Sequence, residues 1–288
     1  MKTNYKNILY VLPIFLILFM FSFYPLIKTI IQSFYITDPK GKLLSFNGIN
    51  NYIDLFTNPI YLESLKTTVI FSIVTVIGTV FLATLLAVLV NENIIGERFF
   101  SLIFSSTMGI SVASASLFWN FLFHPTMGVL NKIIGAIGFG PIMFITDPKY
   151  AFISVCIVTI WMNLGFSFII LYGGIKNIDK SYYESADLVG GNLWFRTKKI
   201  TIPLLSPSLF FVLVISIINS FQSFGVVDML TRGGPANSTN LLIYNLYNDG
   251  FVNFQIGIAA SQGITLFIMI FLITRVVLGN IEKKVTYQ

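Results

Sequence analysis

The side chains best suited to chemistry in this sequence are neutral hydrogen-bonding groups set into an otherwise apolar segment. They recur at the i, i+3, i+4 and i+7 spacing of one helix face, with an amide beside them. They are Ser216, Asn219, Ser220 and Ser223, with Gln222 alongside, and Trp161 and Asn163 form a similar pair in an earlier segment. Such groups either contact a polar solute or hydrogen-bond to neighbouring helices, and the spacing leaves both interpretations open. For Trp161, packing is the simpler interpretation.

Side chains that support catalysis are scarce in this chain. It has 1 His and 1 Cys, too few for a nucleophilic triad or a metal cluster. The pair Gly41-Lys42 lacks the upstream glycine and the following Ser or Thr of a phosphate-binding loop. Asp228 and His124 lie at segment ends, where a solvated helix terminus is a simpler interpretation than a proton relay. We therefore expect no catalytic residue, metal or cofactor in this chain, and any energy it uses must come from another protein.

Charge-free stretches dominate the sequence, in which 55% of residues are hydrophobic and 10% are charged. Six windows contain no Asp, Glu, Lys or Arg, and each is as long as the roughly 20 residues that a helix needs to cross the hydrocarbon core. The windows are residues 7–27, 67–91, 99–131, 150–175, 200–227 and 250–274. They predict an all-α, multi-pass protein of the cell membrane, a single domain over residues 1–288 with six transmembrane helices. The predicted spans are about 8–30, 67–91, 99–123, 151–173, 204–228 and 255–278.

Two charge-free segments need a separate interpretation. The first window follows Lys2 and Lys6, as in a secretion signal, but residues 22–25 are too bulky for a cleavage site. We interpret it as a retained first helix. Residues 133–146 are too short to span the membrane, and we interpret them as surface-lying or re-entrant.

The basic residues predict which side of the membrane each loop faces, because Lys and Arg accumulate on the cytoplasmic side. With both termini inside, 11 of the 18 basic residues are cytoplasmic, and the opposite orientation leaves 7 there. The 11 are Lys2, Lys6, Arg98, Lys176, Lys180, Arg196, Lys198, Lys199, Arg275, Lys283 and Lys284. We therefore predict cytoplasmic termini and a cytosolic loop over residues 176–203, between the fourth and fifth helices, which we call the coupling loop. The net charge of +6 reflects this orientation and does not indicate a nucleic-acid partner.

Two short helices are predicted within the coupling loop. Ser181 followed by Glu184 forms a capping box, which predicts a helix that begins at Ser181. Gly190-Gly191 would end this helix, because a residue without Cβ readily adopts the left-handed conformation. Asn192 can cap a second helix that runs to about residue 200, and Pro203 separates that helix from the fifth span.

The second short helix carries the basic residues of the loop. Arg196, Lys198 and Lys199 are predicted to face the anionic leaflet or a partner protein. Spacing alone does not decide between a loop that rests on the lipid headgroups and one that docks on a partner.

The coupling loop also carries residues that resemble a known signature. Glu184-Ser185-Ala186, then Gly190, then Ile202-Pro203-Leu204 resemble the E-A-A, G and I-x-L-P elements of the inner-membrane subunits of binding-protein-dependent ABC importers. Ser185 replaces the second alanine of that signature, and Gly191 stands where the family often has alanine. The resemblance implies that the loop docks on a separate ATPase subunit. The residues implied in docking are Glu184, Ser185, Ala186, Asp187, Gly190 and Pro203.

Two further segments resemble the sugar-type permeases of this family. Residues 48–52, Gly-Ile-Asn-Asn-Tyr, resemble their G-L-x-N-Y, and residues 230–239 resemble their L-T-x-G-G-P loop with its following S-T. The third helix departs from the family, because Thr107 and Val112 stand where prolines are expected.

Within this family the chain resembles the first permease subunit of glycerol-3-phosphate importers. The resembling segments are Val227-Asp228, Ile243-Tyr244, Gly250-Phe251 and the terminal residues 285–288. The alternative is a permease subunit for a sugar or oligosaccharide, and a gated channel or a membrane-embedded enzyme remains open as a different class. The resemblance implies a heterodimer with a second permease, two ATPase subunits that carry ATP and Mg²⁺, an extracytoplasmic solute-binding protein, and surrounding lipid.

Overall fold

The structure of the protein is a computed structural model that describes residues 5–92 and 96–281, and most of these residues are helical. In chain order the helices are α1 (Tyr5–Leu18), α2 (Tyr24–Ser33), α3 (Asn50–Thr57), α4 (Pro59–Asn91), α5 (Glu97–Ser106), α6 (Val112–Leu122), α7 (Val129–Ala136), α8 (Pro148–Lys176), α9 (Lys180–Leu188), α10 (Leu193–Arg196), α11 (Ile202–Leu204), α12 (Ser206–Phe221), α13 (Phe224–Leu230), α14 (Leu242–Tyr247) and α15 (Ile256–Ile281). The shorter elements are strands β1 (Tyr35–Thr37) and β2 (Leu43–Phe46), a 3₁₀ turn (Thr107–Gly109) and three π-helical turns (Phe19–Phe23, Thr197–Thr201 and Asn248–Val252). Lys2, Lys283, Lys284 and residues 285–288, which enter the sequence interpretation, lie outside the described residues.

Four helical stretches are long and apolar enough to cross a membrane. They are Val11–Ser33, Pro59–Asn91, Pro148–Lys176 and Ile256–Gly279, and two bent helix pairs raise the number to as many as six. Each stretch overlaps one of the charge-free windows, where lipid favours a helix because a helix satisfies every backbone polar group internally.

The third charge-free window forms an interrupted helix rather than the single predicted span over residues 99–123. Its two parts, Glu97–Gly109 and Val112–Leu122, meet at an angle of 109°. Between them Ile110 is extended, and the Ser111 hydroxyl accepts a hydrogen bond from the Ser114 backbone N–H at 3.2 Å. That bond caps a new helix start. The chain therefore bends here without proline.

The fifth window is interrupted at both ends. Leu193–Leu204 and Ser206–Phe221 meet at 71°. Pro203 lies in the first turn of α11, so the bend follows it directly. At the other end α12 gives way to α13 at Gln222 and Ser223. The predicted fifth span thus corresponds to α12 together with α13.

Packing divides the chain into two units, one of residues up to Leu62 with Asn245–Ile268, and one of Glu63–Tyr244 with the residues from Met269. In the first unit β1 and β2 pair as an antiparallel hairpin. The all-α prediction omitted this hairpin. The strands are only 3 and 4 residues long, too short to give a clear alternating pattern.

The core of the second unit is built where small residues of α4 meet large residues of α8. Ala83 and Ala87 are fully buried, as are Phe168 and Leu171, and Val212 of α12 packs in the same cluster. Small side chains let helix backbones approach closely, which supplies the van der Waals contact that holds helices together in lipid.

Gly165 lets α8 lie close against the segment where the third window is interrupted. A Cβ at this position would overlap the Thr107 hydroxyl and would lie 2.8 Å from the Met108 backbone nitrogen and 3.0 Å from the Ser105 carbonyl oxygen. Because two of these atoms belong to the backbone, they cannot move aside as a flexible side chain could. The bent segment can therefore lie against α8 only where α8 has glycine.

We expect Gly165→Ala to destabilise the protein by about 1–3 kcal/mol, because the added methyl overpacks this contact. Gly173→Ala is the matched control in the same helix, since a Cβ there meets no atom within 4 Å. That control should raise stability by up to about 1 kcal/mol, the usual gain from replacing a helical glycine. Thermal unfolding in detergent measures both, and equal melting temperatures for the two variants would contradict this packing.

Candidate functional site

The first helix of the coupling loop, α9, begins earlier than the predicted capping box. Its N-cap is Asp179, whose carboxylate accepts the Ser181 backbone N–H at 2.9 Å, and α9 itself starts at Lys180. This hydrogen bond lowers the pKa of the Asp179 carboxyl. The prediction of Ser181 as the cap was wrong because an ionised carboxylate accepts more strongly than a hydroxyl and also favours the helix N-terminus.

The end of α9 is as predicted. Gly190 has a left-handed backbone with φ 71°, and the Gly191 N–H donates to the Ala186 carbonyl oxygen at 2.8 Å. A Cβ at Gly191 would lie 2.9 Å from that oxygen, so this position also requires glycine. The Asn192 side chain then accepts the Phe195 N–H at 2.8 Å and caps α10, as predicted.

The coupling loop buries one small residue and exposes several large apolar ones. Ala186 is 5% exposed, whereas Leu188, Val189 and Trp194 are 90%, 76% and 72% exposed. We call these three residues the loop patch. Glu184, Ser185 and Asp187 are also exposed. An exposed apolar patch beside polar residues is typical of a surface that binds another protein or a membrane.

Arg196 does not face outward as the sequence predicted. Its guanidinium lies 2.7 Å from the Glu92 carboxylate, at the end of α4, and 3.4 Å from the Asp187 carboxylate on α9. Lys198 and Lys199 are exposed. Neither acidic partner was identified from the sequence, because the pairs join residues 104 and 9 positions apart along the chain.

A second ion pair lies at the ends of two other helices. Lys176 at the end of α8 is 2.8 Å from Glu97 at the start of α5, and Tyr172 donates a hydrogen bond to the same carboxylate. Lys176, Glu92, Asp187 and Arg196 line one cavity of about 280 Å³ with Glu184 and other loop residues. Charges that are absent from the long apolar stretches thus collect beside the coupling loop.

A separate cavity of about 300 Å³, the polar cavity, lies where the third and fifth windows are interrupted. It is lined by Thr107, Met108, Ile110, Val112, Thr159, Met162, Asn163, Asn219, Gln222, Ser223, Gly225 and Val226. Asn219 donates to the Asn163 side-chain oxygen at 3.2 Å, and Asn163 donates to the Thr159 carbonyl at 2.8 Å. None of these lining residues is charged, so the cavity offers amides and hydroxyls to a ligand.

The predicted polar stripe divides between the polar cavity and the protein interior. Asn219, Gln222 and Ser223 line the cavity, as does Asn163 from α8. Ser216 and Ser220 are buried, and the Ser220 hydroxyl donates to the Ile217 carbonyl at 2.7 Å. Ser216, Asn219 and Ser220 all lie within α12, so the stripe divides around this helix, while Gln222 and Ser223 follow its end at Phe221.

Trp161 packs among aromatic rings and does not line the polar cavity. Its ring centroid lies 5.8 Å from that of Trp119 and 6.3 Å from that of Phe118. Stacked and edge-on ring pairs at these separations are favourable packing contacts. Among residues 5–92 and 96–281, His, Cys, Asp and Glu form no group that could hold a metal ion.

The two loop motifs noted in the sequence hold their own segments in shape. In residues 230–239 the Thr231 and Thr239 hydroxyls are 2.7 Å apart, and Thr239 donates to the Gly234 carbonyl at 2.8 Å. In the first unit, Asn51 donates to the Ser33 and Tyr35 carbonyls at 2.9 and 3.1 Å. These contacts give the motif residues a structural role in each loop.

Comparison with known proteins assigns the chain to a transport family. Residues 79–287 match the family described as "Binding-protein-dependent transport system inner membrane component". The chain is 33% identical over 282 residues to the sn-glycerol-3-phosphate transport system permease protein UgpA of Agrobacterium fabrum, covering 97% of this chain and 95% of that protein. The UgpA protein of Rhizobium meliloti is 32% identical over the same shares, and that of Pectobacterium atrosepticum is 29% identical over 100% and 97%.

Solved structures share the fold. A bacterial ABC transporter involved in the import of the acidic polysaccharide alginate has a chain that matches with a TM-score of 0.86 and 21% identity, over 98% of this chain and 96% of that chain. The same transporter type in complex with an alginate pentasaccharide-bound periplasmic protein matches with a TM-score of 0.86 and 21% identity, over 99% and 98%.

If the polar cavity is open to water, a cysteine that lines it should react with a water-soluble reagent faster than a buried cysteine. In a Cys156→Ala background, we expect Asn219→Cys to be modified by a small methanethiosulfonate, because residue 219 lines the cavity. Ser220→Cys is the adjacent control and should react far more slowly, since residue 220 is 2% exposed. Mass spectrometry of the labelled protein measures both rates. Similar rates at the two positions would contradict the cavity.

Proposed function

We propose, from the premise that the chain belongs to the family of binding-protein-dependent transport system inner membrane components, that it is the permease subunit of an ABC importer for sn-glycerol-3-phosphate. This choice of solute is supported by similarity over nearly the whole chain to proteins named for transport of that compound. The alternative solute is a sugar or oligosaccharide, since a fold neighbour is described as importing alginate.

The proposed topology has six spans and cytoplasmic termini, with the coupling loop on the cytosolic side. Four long apolar helices and two bent pairs support six crossings. The excess of basic residues on the proposed inner side supports the orientation. The most apolar 18-residue part of Val11–Ser33 has no residue buried within the described structure, and this exposure supports contact with lipid and with a second permease in a heterodimer.

In this proposal the chain is not an enzyme, and two ATPase subunits that bind ATP and Mg²⁺ drive it through the coupling loop. The loop patch provides the apolar contact, and Glu184, Ser185 and Asp187 provide polar contacts around it. Ala186, Gly190 and Pro203 set the path of the loop, since two of them fix the end of α9 and the third precedes the 71° bend. Nucleotide binding then biases the spans between two arrangements.

The polar cavity supplies the proposed solute path. Asn163, Asn219, Gln222 and Ser223 can hydrogen-bond to the hydroxyl groups of a polyol without binding it so tightly that it cannot leave. Ser216, Ser220 and Trp161, the other candidates, support the cavity through packing and internal hydrogen bonds. A phosphate prefers Arg or Lys, so we assign its recognition chiefly to the extracytoplasmic binding protein or to the partner permease.

Transport by the reconstituted complex tests the function. Proteoliposomes that contain this chain, its partner permease and the ATPase subunits should accumulate sn-glycerol-3-phosphate when ATP is inside and the binding protein is outside. Omitting the ATPase subunits should abolish accumulation, because the chain has no nucleotide-binding motif of its own.

Each alternative gives a different result in the same experiment. ATP-driven uptake of an oligosaccharide, without uptake of the phosphate ester, would show that the chain belongs to a sugar importer. Flux of solute through this chain alone, without nucleotide, would indicate a gated channel, and turnover of lipid by the purified chain would indicate an enzyme. Either of the last two results would overturn the importer.

Charge reversal at Glu184 tests the docking role. Glu184→Lys should weaken binding of the ATPase subunits about tenfold or more, which is roughly 1.4 kcal/mol, because a like or unpaired charge in an interface is costly. Glu63→Lys is the matched control, an exposed helical glutamate on the opposite side of the proposed topology. Binding is measured with purified components, and equal affinities for the two variants would argue against docking through Glu184.

A further inference from the structure

Arg196 is bound by two carboxylates that belong to different parts of the chain. One is Glu92 at the end of the long helix α4, at 2.7 Å, and the other is Asp187 on α9, at 3.4 Å. Because a guanidinium presents several N–H groups in a rigid plane, one arginine can hold two carboxylates at once. Arg196 is thereby a bridge between α9 and an apolar helix that crosses the second unit.

The two ion pairs differ in length and in exposure. The side chains of Arg196 and Glu92 are 23% and 25% exposed, whereas Asp187 is 58% exposed. A short pair that is largely shielded from water is screened less by salt than a longer, exposed one. The pair with Glu92 is therefore the stronger attachment, and the pair with Asp187 is the weaker of the two links that join α9 to α4 through Arg196.

Other hydrogen bonds link α9 to the residues that follow it. The Tyr183 hydroxyl on α9 lies 3.1 Å from the Thr201 hydroxyl, beyond α10, and the Gly191 N–H is bound to the Ala186 carbonyl. Within the coupling loop these contacts run from α9 to the residues that follow it. The Arg196 pairs also reach α4, whose charged end lies in the same loop cavity.

We propose that Arg196 is a positioning residue that transmits displacement of α9 to the end of α4 through its shared ion pairs with Asp187 and Glu92. The inference rests on the proposed function, because it assumes that an ATPase subunit displaces α9. It adds a residue that is not among the docking residues, since Arg196 lies between Gly190 and Pro203. An arginine that only stabilised the fold would make the same contacts, so the test must measure how much solute is taken up for each ATP hydrolysed.

The experiment compares two variants of the reconstituted complex, each of which replaces one basic residue by a neutral glutamine. Arg196→Gln should lower the solute taken up per ATP hydrolysed by about fivefold or more, the lower range of coupling between sites, while ATPase subunits still bind. Lys176→Gln is the matched control. It breaks an ion pair of similar length, 2.8 Å to Glu97, that joins α8 to α5 and does not include α9. That variant should keep the normal ratio of uptake to hydrolysis.

A conservative variant separates transmission from stability. Arg196→Lys should keep part of the coupling that Arg196→Gln loses, because a lysine still places a cation between the Asp187 and Glu92 carboxylates. If Arg196→Gln does not fold, Glu92→Gln is used instead, since Glu92 pairs with Arg196 and is not a docking residue, and its loss should also lower coupling.

The outcomes that overturn the inference are distinct from those that overturn the importer. Equal loss of coupling in Arg196→Gln and Lys176→Gln, or normal coupling in Glu92→Gln, would show that the Arg196 bridge transmits nothing. Failure of the unmodified chain to stimulate or bind any ATPase subunit would instead overturn the proposed function.

Discussion

The exclusion of charge from the hydrocarbon core is the constraint on which this structure depends. A charged side chain at the bilayer centre is costly, so the long helices consist of apolar and small neutral residues, and their charges lie at the ends. At one set of ends this concentrates Glu92, Glu97, Lys176 and Arg196 into ion pairs of 2.7 and 2.8 Å. The same constraint leaves the polar cavity with only neutral lining residues.

Breaks in the helices are permitted only where other groups satisfy the backbone, and the protein places its polar cavity there. The third window bends by 109° beside Ser111, which caps the next helix, and Gly165 lets the bent segment lie against α8. Irregular backbone at membrane depth is tolerated where it is buried in protein or lines a cavity. The cavity and the interruptions are therefore one feature of the fold, and it depends on a glycine rather than on proline.

The sequence predicted the features that depend on local pattern. Charge-free windows located the long helices, and Gly190-Gly191 and Asn192 located the end of α9 and the start of α10, because these signals act over a few residues. Features that depend on distant residues were missed. Arg196 pairs with Glu92, 104 positions away, and Ser216 and Ser220 are buried although they share a helix face with Asn219. One local feature was also missed, because Asp179 and Ser181 are both possible caps and the carboxylate of Asp179 is the one that caps α9.

In the proposed importer, a separate ATPase drives this chain through the coupling loop. Site-specific cross-linking in the assembled complex measures this contact most directly, with a cysteine at Leu188, which is 90% exposed in the isolated chain. We expect a cross-linked product between Leu188→Cys and the ATPase subunit, with a yield that changes when nucleotide is added. A product only with lipid-anchored probes, and none with the ATPase subunit in any nucleotide state, would contradict it.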